Sequence, residues 1–240
     1  MLPAIEMPRG DRGMGKGLVI TIDGPAGVGK STVSRIVAEK LSAVYLDTGA
    51  LYRAIAYKIG QSGVDLDDNE KIIEMCSQTD LSLTMSDGDV RVHVDGEDIT
   101  EKIRTEAIGI LASQASALPT VRKALLPLQR EAAGKAGVVA EGRDMGTVVF
   151  PDADVKFFLT ADVAERTRRR HDQLLEKGMS SDYKDIKKGI EQRDCQDRER
   201  SISPLRPAAD AIVIDTTDLD IDGVVGAMML NIGREGEDRN

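Results

Sequence analysis

Apolar and polar positions along the chain alternate between two periods. Short runs rich in β-branched residues occur at Leu18–Asp23, Ala43–Asp47, Gly137–Glu141, Asp154–Thr160 and Ala211–Asp215. Between them apolar residues recur at helical spacing over 31–42, 49–62, 105–133, 162–178 and 182–200. Strands separated by long helical stretches predict a parallel sheet with helical crossovers, an α/β fold. Asp162 and Glu165 form a capping-box-like start for the fourth stretch, and Gly178 is a natural stop. Pro127 lies within a helical stretch that Pro119 begins, where a kink is the simplest expectation.

One segment breaks this rhythm. From Asp80 to Thr100 the period falls to two, with Leu81, Leu83 and Met85 in one arm and Val90, Val92 and Val94 in the other. Asp87-Gly88 between the arms is a strong hairpin signal. Residues 63–104 are therefore expected to form a small α+β insertion in the parallel core.

The 240 residues can bury about 70% of their unfolded surface in a self-supporting core. Forty-one acidic residues against 32 basic ones give a net charge of −9, which disfavours a nucleic-acid clamp or an anionic-membrane binder. Aromatics are 3% with no Trp, so base-stacking platforms are not expected. Cys76, Cys195, His93 and His171 are the whole complement of their types, too few and too scattered for a disulfide framework or a zinc cluster. No apolar run approaches about 18 residues. The first sixteen residues lack an apolar signal core, so they are expected to be a flexible tail on a cytoplasmic protein.

Gly24-Pro25-Ala26-Gly27-Val28-Gly29-Lys30-Ser31 satisfies G-x-x-x-x-G-K-[ST] between a predicted strand and a predicted helix, with Thr32 following. Glycines let backbone N–H groups turn around phosphate oxygens, and the helix N-terminus adds its dipole. Lys30 is expected to reach the β- and γ-phosphates, and the Ser31 hydroxyl to sit on Mg²⁺. A GTPase switch would need an N-K-x-D element, which the chain lacks.

A small-molecule kinase needs a second anion site, and the arginines supply candidates. Eight of the 19 lie between Asp162 and Arg206, more than twice an even scatter. Arg166 and Arg170 share a helix face, and Arg193, Asp197 and Arg200 share another at i, i+4 and i+7. Ten acidic residues interleaved in 162–200 offer the plainer alternative of a solvated charged surface. Beside a phosphate loop the first reading gains, because two polyphosphates meeting in line need neutralisation. Strands ending at Asp23, Asp47 and Glu141 are expected to deliver Lys30, Arg53 and Arg143 to one sheet edge, where α/β sheets bind ligands. For Asp47 and Arg143, structural ion pairs are the alternative.

The stretches ITIDGPAGVGKST, YLDTGALYRA, EGRDMGTVVFPDADVKFFLTAD and QRDCQDRERSISPLRPAADAIVIDTT, in order over about 17–225, resemble bacterial cytidylate kinases. The resemblance implies a three-layer P-loop NTPase fold with a five-stranded parallel sheet, a small α+β nucleoside-monophosphate-binding insertion and a helical lid. It divides the chain into an extension (1–16), core (17–62), insertion (63–104), core (105–160), lid and acceptor-binding helices (161–206), and a last strand, helix and tail (207–240). It implies ATP-dependent phosphorylation of CMP and dCMP, with ATP and Mg²⁺ at Gly24–Thr32. By the same likeness Ser113, Arg122 and Asp144 read the cytosine edge, and Tyr52 and Thr48 line the acceptor pocket. Arg53, Arg143 and Arg200 hold the CMP phosphate, Arg193 and Asp197 reach the ribose, and Arg166 and Arg170 close on the transferring group. The catalytic set is then Lys30, Arg143, Arg166 and Arg170, in a monomer that binds neither nucleic acid nor membrane. Judged by residue type alone, Ser113 is an ordinary helix-packing serine and Cys195 a bystander. Two other readings are a P-loop kinase for UMP, AMP or another acceptor, and a nucleotide sensor without transfer.

Overall fold

The computed structural model describes residues 17–86, 89–131, 137–176 and 178–237. The sixteen-residue extension and the Asp87-Gly88 turn lie outside the described residues. Five strands occur where the short apolar runs predict them: β1 (Val19–Asp23), β2 (Val44–Asp47), β6 (Val138–Gly142), β7 (Val155–Thr160) and β8 (Ile212–Asp215). They form one parallel sheet in the order β2-β6-β1-β7-β8. All five residues of β6 are buried, as both-face coverage of a parallel strand requires. Pairing of β1 with β7 sets Ile20 opposite Val155 and Asp23 opposite Phe158, and this register brings the strand ends beside the phosphate loop level. Helices α1 (Lys30–Leu41) and α8 (Ile221–Glu237) pack on each other, and α6 (Val163–Glu176) packs on α7 (Tyr183–Glu199).

The chain divides into two compact units, Leu46–Val138 and Leu18–Tyr45 with Val139 onward. In the first, β3 (Leu81–Ser86), β4 (Asp89–Val94) and β5 (Glu97–Asp98) form an antiparallel sheet in that order. Leu81 faces Val94 and Leu83 faces Val92, and all four are buried, so the period-two reading holds. Helices α2 (Thr48–Ser62), α3 (Asn69–Gln78), α4 (Glu106–Ala115) and α5 (Pro119–Glu131) complete this unit around Leu51, Ile55, Ile72, Ile103 and Leu125.

Two local expectations need correction. The stretch 105–133 is not one helix but α4 and α5, because Leu118 precedes a proline and is disfavoured from the α region. Pro127 sits inside α5. The capping box at Asp162 does not form. Glu165 is taken by Arg168 and Arg169, and the Asp162 N–H donates to Thr217 Oγ1 at 3.0 Å instead. Gly178 does end α6, with φ +69° and its N–H on the Leu175 carbonyl at 2.9 Å.

Candidate active site

The phosphate loop connects β1 to α1. Gly24 has φ +151°, and a Cβ there would lie 2.3 Å from the Leu159 carbonyl oxygen, so only glycine fits between β1 and β7. Gly29, the residue before α1, is left-handed at φ +95°. No side chain caps α1 and its first turn holds no acidic residue, which leaves its N-terminal N–H groups and dipole open to an anion. The Lys30 ammonium donates to the Gly24 and Pro25 carbonyls at 2.8 and 2.7 Å. Burial, then the like charge of Arg143, pushes the Lys30 amine down to about 7, with Glu141, Asp197 and Asp23 opposing. Ser31 and Thr32 follow, exposed, on the first turn of α1.

The strand end of β6 carries Glu141, Arg143 and Asp144. Asp23, at the end of β1, accepts the backbone N–H groups of Met145 and Gly146, both at 2.8 Å. Burial raises the Asp23 carboxyl to about 6 against the pull of those two N–H groups. The tight π-turn Met145–Val149 follows, so Asp144 is fixed at the entrance of an anchored segment and is 2% exposed. Arg143 Nε donates to Asp197 Oδ2 at 2.7 Å. Burial alone would lower the Arg143 guanidinium, but Asp197 and Glu141 outweigh it and hold it upward. Arg200, at the end of α7, lies 3.8 Å from Asp144 and 3.9 Å from Asp197. Arg193, half-buried one turn before Asp197, donates to the Gly189 carbonyl. The stripe Arg193, Asp197 and Arg200 and the strand-end pair Arg143 and Asp144 thus occupy one region of this unit.

The arginines of α6 separate into two kinds. Exposed Arg168 pairs with Glu165 and Asp172, which is the charged-surface pattern, while half-buried Arg169 pairs with Glu165 and donates to the Thr216 hydroxyl and carbonyl. Arg170 donates to Gln173 at 2.7 Å. Arg166 differs: it is 3% exposed and donates to the Ala161 carbonyl, to the phosphate-loop carbonyl of Ala26 and to Asp194.

The remaining expected substrate residues belong to the other unit. Asp47 caps α2 through Ala50 N–H and pairs with Arg53 at 2.9 Å. Thr48 begins α2 and is buried. The Arg122 guanidinium lies 5.6 Å from the Tyr52 ring centroid, a cation–π distance, and donates to the Ser116 carbonyl at 3.1 Å. Ser116 in turn donates to the Ser113 carbonyl at 2.8 Å. Tyr52, Arg122, Ser116 and Ser113 therefore form one linked cluster from three helices or helix ends. The one signal that Ser116 carries in the sequence is its place shortly before Pro119, which marks a helix end.

Three further residues escape sequence reasoning. Asp23 and Asp194 act on partners 122 and 28 residues away, and Tyr45 donates to Glu141 while its ring lies 5.5 Å from the Arg35 guanidinium. Asp23 carried one available signal, a carboxylate immediately before the phosphate loop.

The family model described as cytidylate kinase matches residues 20–234. A cytidylate kinase of Carboxydothermus hydrogenoformans is 48% identical over 218 residues, covering 91% of this chain and 98% of the relative. Those of Syntrophotalea carbinolica and Bacillus subtilis are 46% and 47% identical, covering 90% of this chain and 92% and 96% of theirs. With the family model spanning nearly every described residue, the chain belongs to the cytidylate kinase family.

Proposed function

We infer that this chain transfers the γ-phosphoryl group of ATP to the 5′-phosphate of CMP or dCMP, yielding ADP and CDP or dCDP. The observation that carries the reading is the phosphate loop with Lys30 seated on the Gly24 and Pro25 carbonyls, in the same unit as Arg143, which the carboxylate of Asp197 orients. The acceptor is already an anion, so no strong general base is needed. An acceptor phosphate oxygen attacks the γ-phosphorus in line as the bond to the β–γ bridging oxygen breaks, and no covalent enzyme intermediate forms. Catalysis is then positioning and charge neutralisation.

Lys30 exchanges its two loop carbonyls for phosphate oxygens. The loop Gly24–Thr32 holds the triphosphate with its N–H groups. Arg143, Arg53 and Arg200 hold the acceptor phosphate, while Arg193 and Asp197 hold the ribose. Arg166 and Arg170 neutralise charge on the transferring group. Asp144, Ser113 and Arg122 read the base, with Tyr52 and Thr48 lining its pocket. Cytosine offers an amine donor at C4 to the Asp144 carboxylate, whereas uracil offers an acceptor. An unpaired buried polar group costs about 1–3 kcal/mol, more when charged, so UMP is disfavoured by tenfold or more.

The donor chemistry fits Mg²⁺. Among the described residues no three His, Cys, Asp or Glu side chains converge on one point, and the exposed Ser31 hydroxyl is a hard oxygen at the loop end. That suits an ion carried mainly by phosphate oxygens, with Ser31 as its protein ligand. Ser31 would hold Mg²⁺, which when bound would supply positive charge against the triphosphate. No described helix is long and apolar enough to cross a membrane. We assign the protein to the cytoplasm as a monomer acting on small nucleotides.

ADP release coupled to oxidation of a reporter, with CMP, dCMP, UMP, AMP and GMP offered separately, tests the reading. Turnover on CMP and dCMP with UMP at least about tenfold poorer is expected. Turnover led by UMP or AMP would replace the acceptor, and ATP binding without turnover would point to a sensor.

A further inference from the structure

Helix α7 presents two buried aspartates one turn apart, Asp194 and Asp197, exposed by only 3% and 6%. Each holds an arginine from elsewhere: Asp197 holds Arg143 at 2.7 Å, and Asp194 holds Arg166 at 2.6 Å. Only Asp197 figures in the reading above. Both side chains of the Arg166–Asp194 pair are almost fully enclosed, at 4% and 5% exposure.

The Arg166 guanidinium has three recorded acceptors. Nε donates to the Ala161 carbonyl at 3.0 Å, Nη1 to the Ala26 carbonyl at 3.1 Å and Nη2 to Asp194 Oδ2. Two are neutral carbonyls, so Asp194 is the carboxylate that balances this buried cation directly. The Ala26 carbonyl belongs to the phosphate loop. In a trans peptide the carbonyl and the next N–H point in opposite directions. Holding the Ala26 oxygen toward Arg166 therefore aims the Gly27 N–H away from α6. Gly27 is left-handed at φ +75°, and a Cβ there would lie 3.4 Å from Arg166 Cβ, so the loop crown rests directly on this arginine. Asp194 Oδ1 is buried and has no hydrogen-bond partner among the described residues. A pair serving stability alone would be expected to satisfy both carboxylate oxygens.

We propose that Asp194 is a positioning residue for ATP: it fixes Arg166 against the Ala26 carbonyl, and so sets the phosphate-loop peptide that binds the triphosphate. This deepens the reading of Arg166 as part of the transfer site and rests on it. Because Asp194 shares α7 with Arg193 and Asp197, and Arg200 follows directly at its end, the same helix then serves both nucleotides, through different arginines.

The test is Asp194→Asn, which keeps shape and removes charge, compared with wild type, Arg166→Met and the double variant. ATP and CMP affinities are measured separately by direct titration, and kcat with each KM by ADP release. Asp194→Asn is expected to weaken ATP binding roughly ten- to hundredfold, the range of a lost charge-assisted hydrogen bond, with a much smaller effect on CMP, whose phosphate arginine Arg143 feels Asp194 only at a distance. In the Arg166→Met background the same change should add nothing further. An ATP effect under about fivefold, an equal loss of both nucleotides, or an undiminished effect in the Arg166→Met background each overturns the proposal. If a single charge left alone prevents folding, Arg166→Met/Asp194→Leu removes both and decides. A raised ATP Kd in that variant supports the proposal, and a wild-type Kd overturns it. ATP titration needs no acceptor, so failure of wild type to phosphorylate CMP would sink the functional reading while Asp194 remained testable.

Discussion

Replacing Gly24 by Ala asks whether the phosphate loop is set by its packing on β7. Register pairs Asp23 with Phe158, so Gly24 faces Leu159. A Cβ at Gly24 would sit 2.3 Å from the Leu159 oxygen and 3.2 Å from its carbonyl carbon. Both are backbone atoms, so no side chain can rotate away and relief requires β1 and β7 to part. Forced overpacking costs about 1–3 kcal/mol. The positive φ adds about 1–3 kcal/mol. Their sum is a large share of the roughly 5–15 kcal/mol by which a domain is stable. Gly29→Ala is the control: φ is +95°, but no heavy atom lies within 4 Å of its Cβ position. It should incur only the backbone term. Urea unfolding followed by far-ultraviolet circular dichroism should rank wild type, Gly29→Ala and Gly24→Ala in falling stability. Gly24→Ala should also lose at least about tenfold in ATP affinity as the loop is displaced. Equal stabilities for the two variants would refute the reasoning, because the steric contact would then cost nothing.

Other outcomes follow from buried charge. Burial and Arg143 lower the Lys30 amine to about 7, so at pH 8 part of it is neutral in the free protein, and triphosphate oxygens favour its charged form. ATP binding at pH 8 should therefore take up protons, read as the dependence of calorimetric enthalpy on buffer ionisation; no uptake contradicts the assignment. Asp23, raised from 3.8 to about 6, keeps a proton in the native state that the unfolded chain has lost. Its contribution to stability therefore falls as pH climbs through that window, by roughly 1 kcal/mol between pH 5 and 8. The stability difference between wild type and Asp23→Asn should shrink by that amount over the same range, and a flat or growing difference contradicts the raised carboxyl. Asp144→Ala should raise KM for CMP and relax the preference over UMP, with KM for ATP unaltered. An unchanged CMP-to-UMP ratio of kcat/KM would remove Asp144 from base reading.

What was legible in the sequence was what depends on neighbours in the chain. The five strands and the phosphate loop are contiguous patterns, and the β3–β4 pairing follows from side-chain alternation with Asp87-Gly88 between the arms. Apolar spacing runs unbroken through Ser116–Leu118, so the break between α4 and α5 is legible only at Pro119, which begins α5 as read from the sequence. The capping box failed on both sides: Glu165 pairs locally with Arg168 and Arg169 one turn on, and the Asp162 N–H is taken by Thr217, 55 residues away. Arg166 shows the limit most plainly. Its spacing from Arg170 suggested two equivalent arginines, yet one is buried on a loop carbonyl and the other is half-exposed beside Gln173. The difference arises from Asp194, 28 residues on, whose meeting with Arg166 follows from the packing of α6 on α7.

The most direct test of the account is a single turnover with enzyme in excess, γ-labelled ATP and CMP, quenched and resolved by product. The label is expected to pass from ATP to CDP with no labelled protein at any time. Label lodged on the protein, or released as inorganic phosphate while CMP stays unphosphorylated, would contradict direct transfer between the two nucleotides.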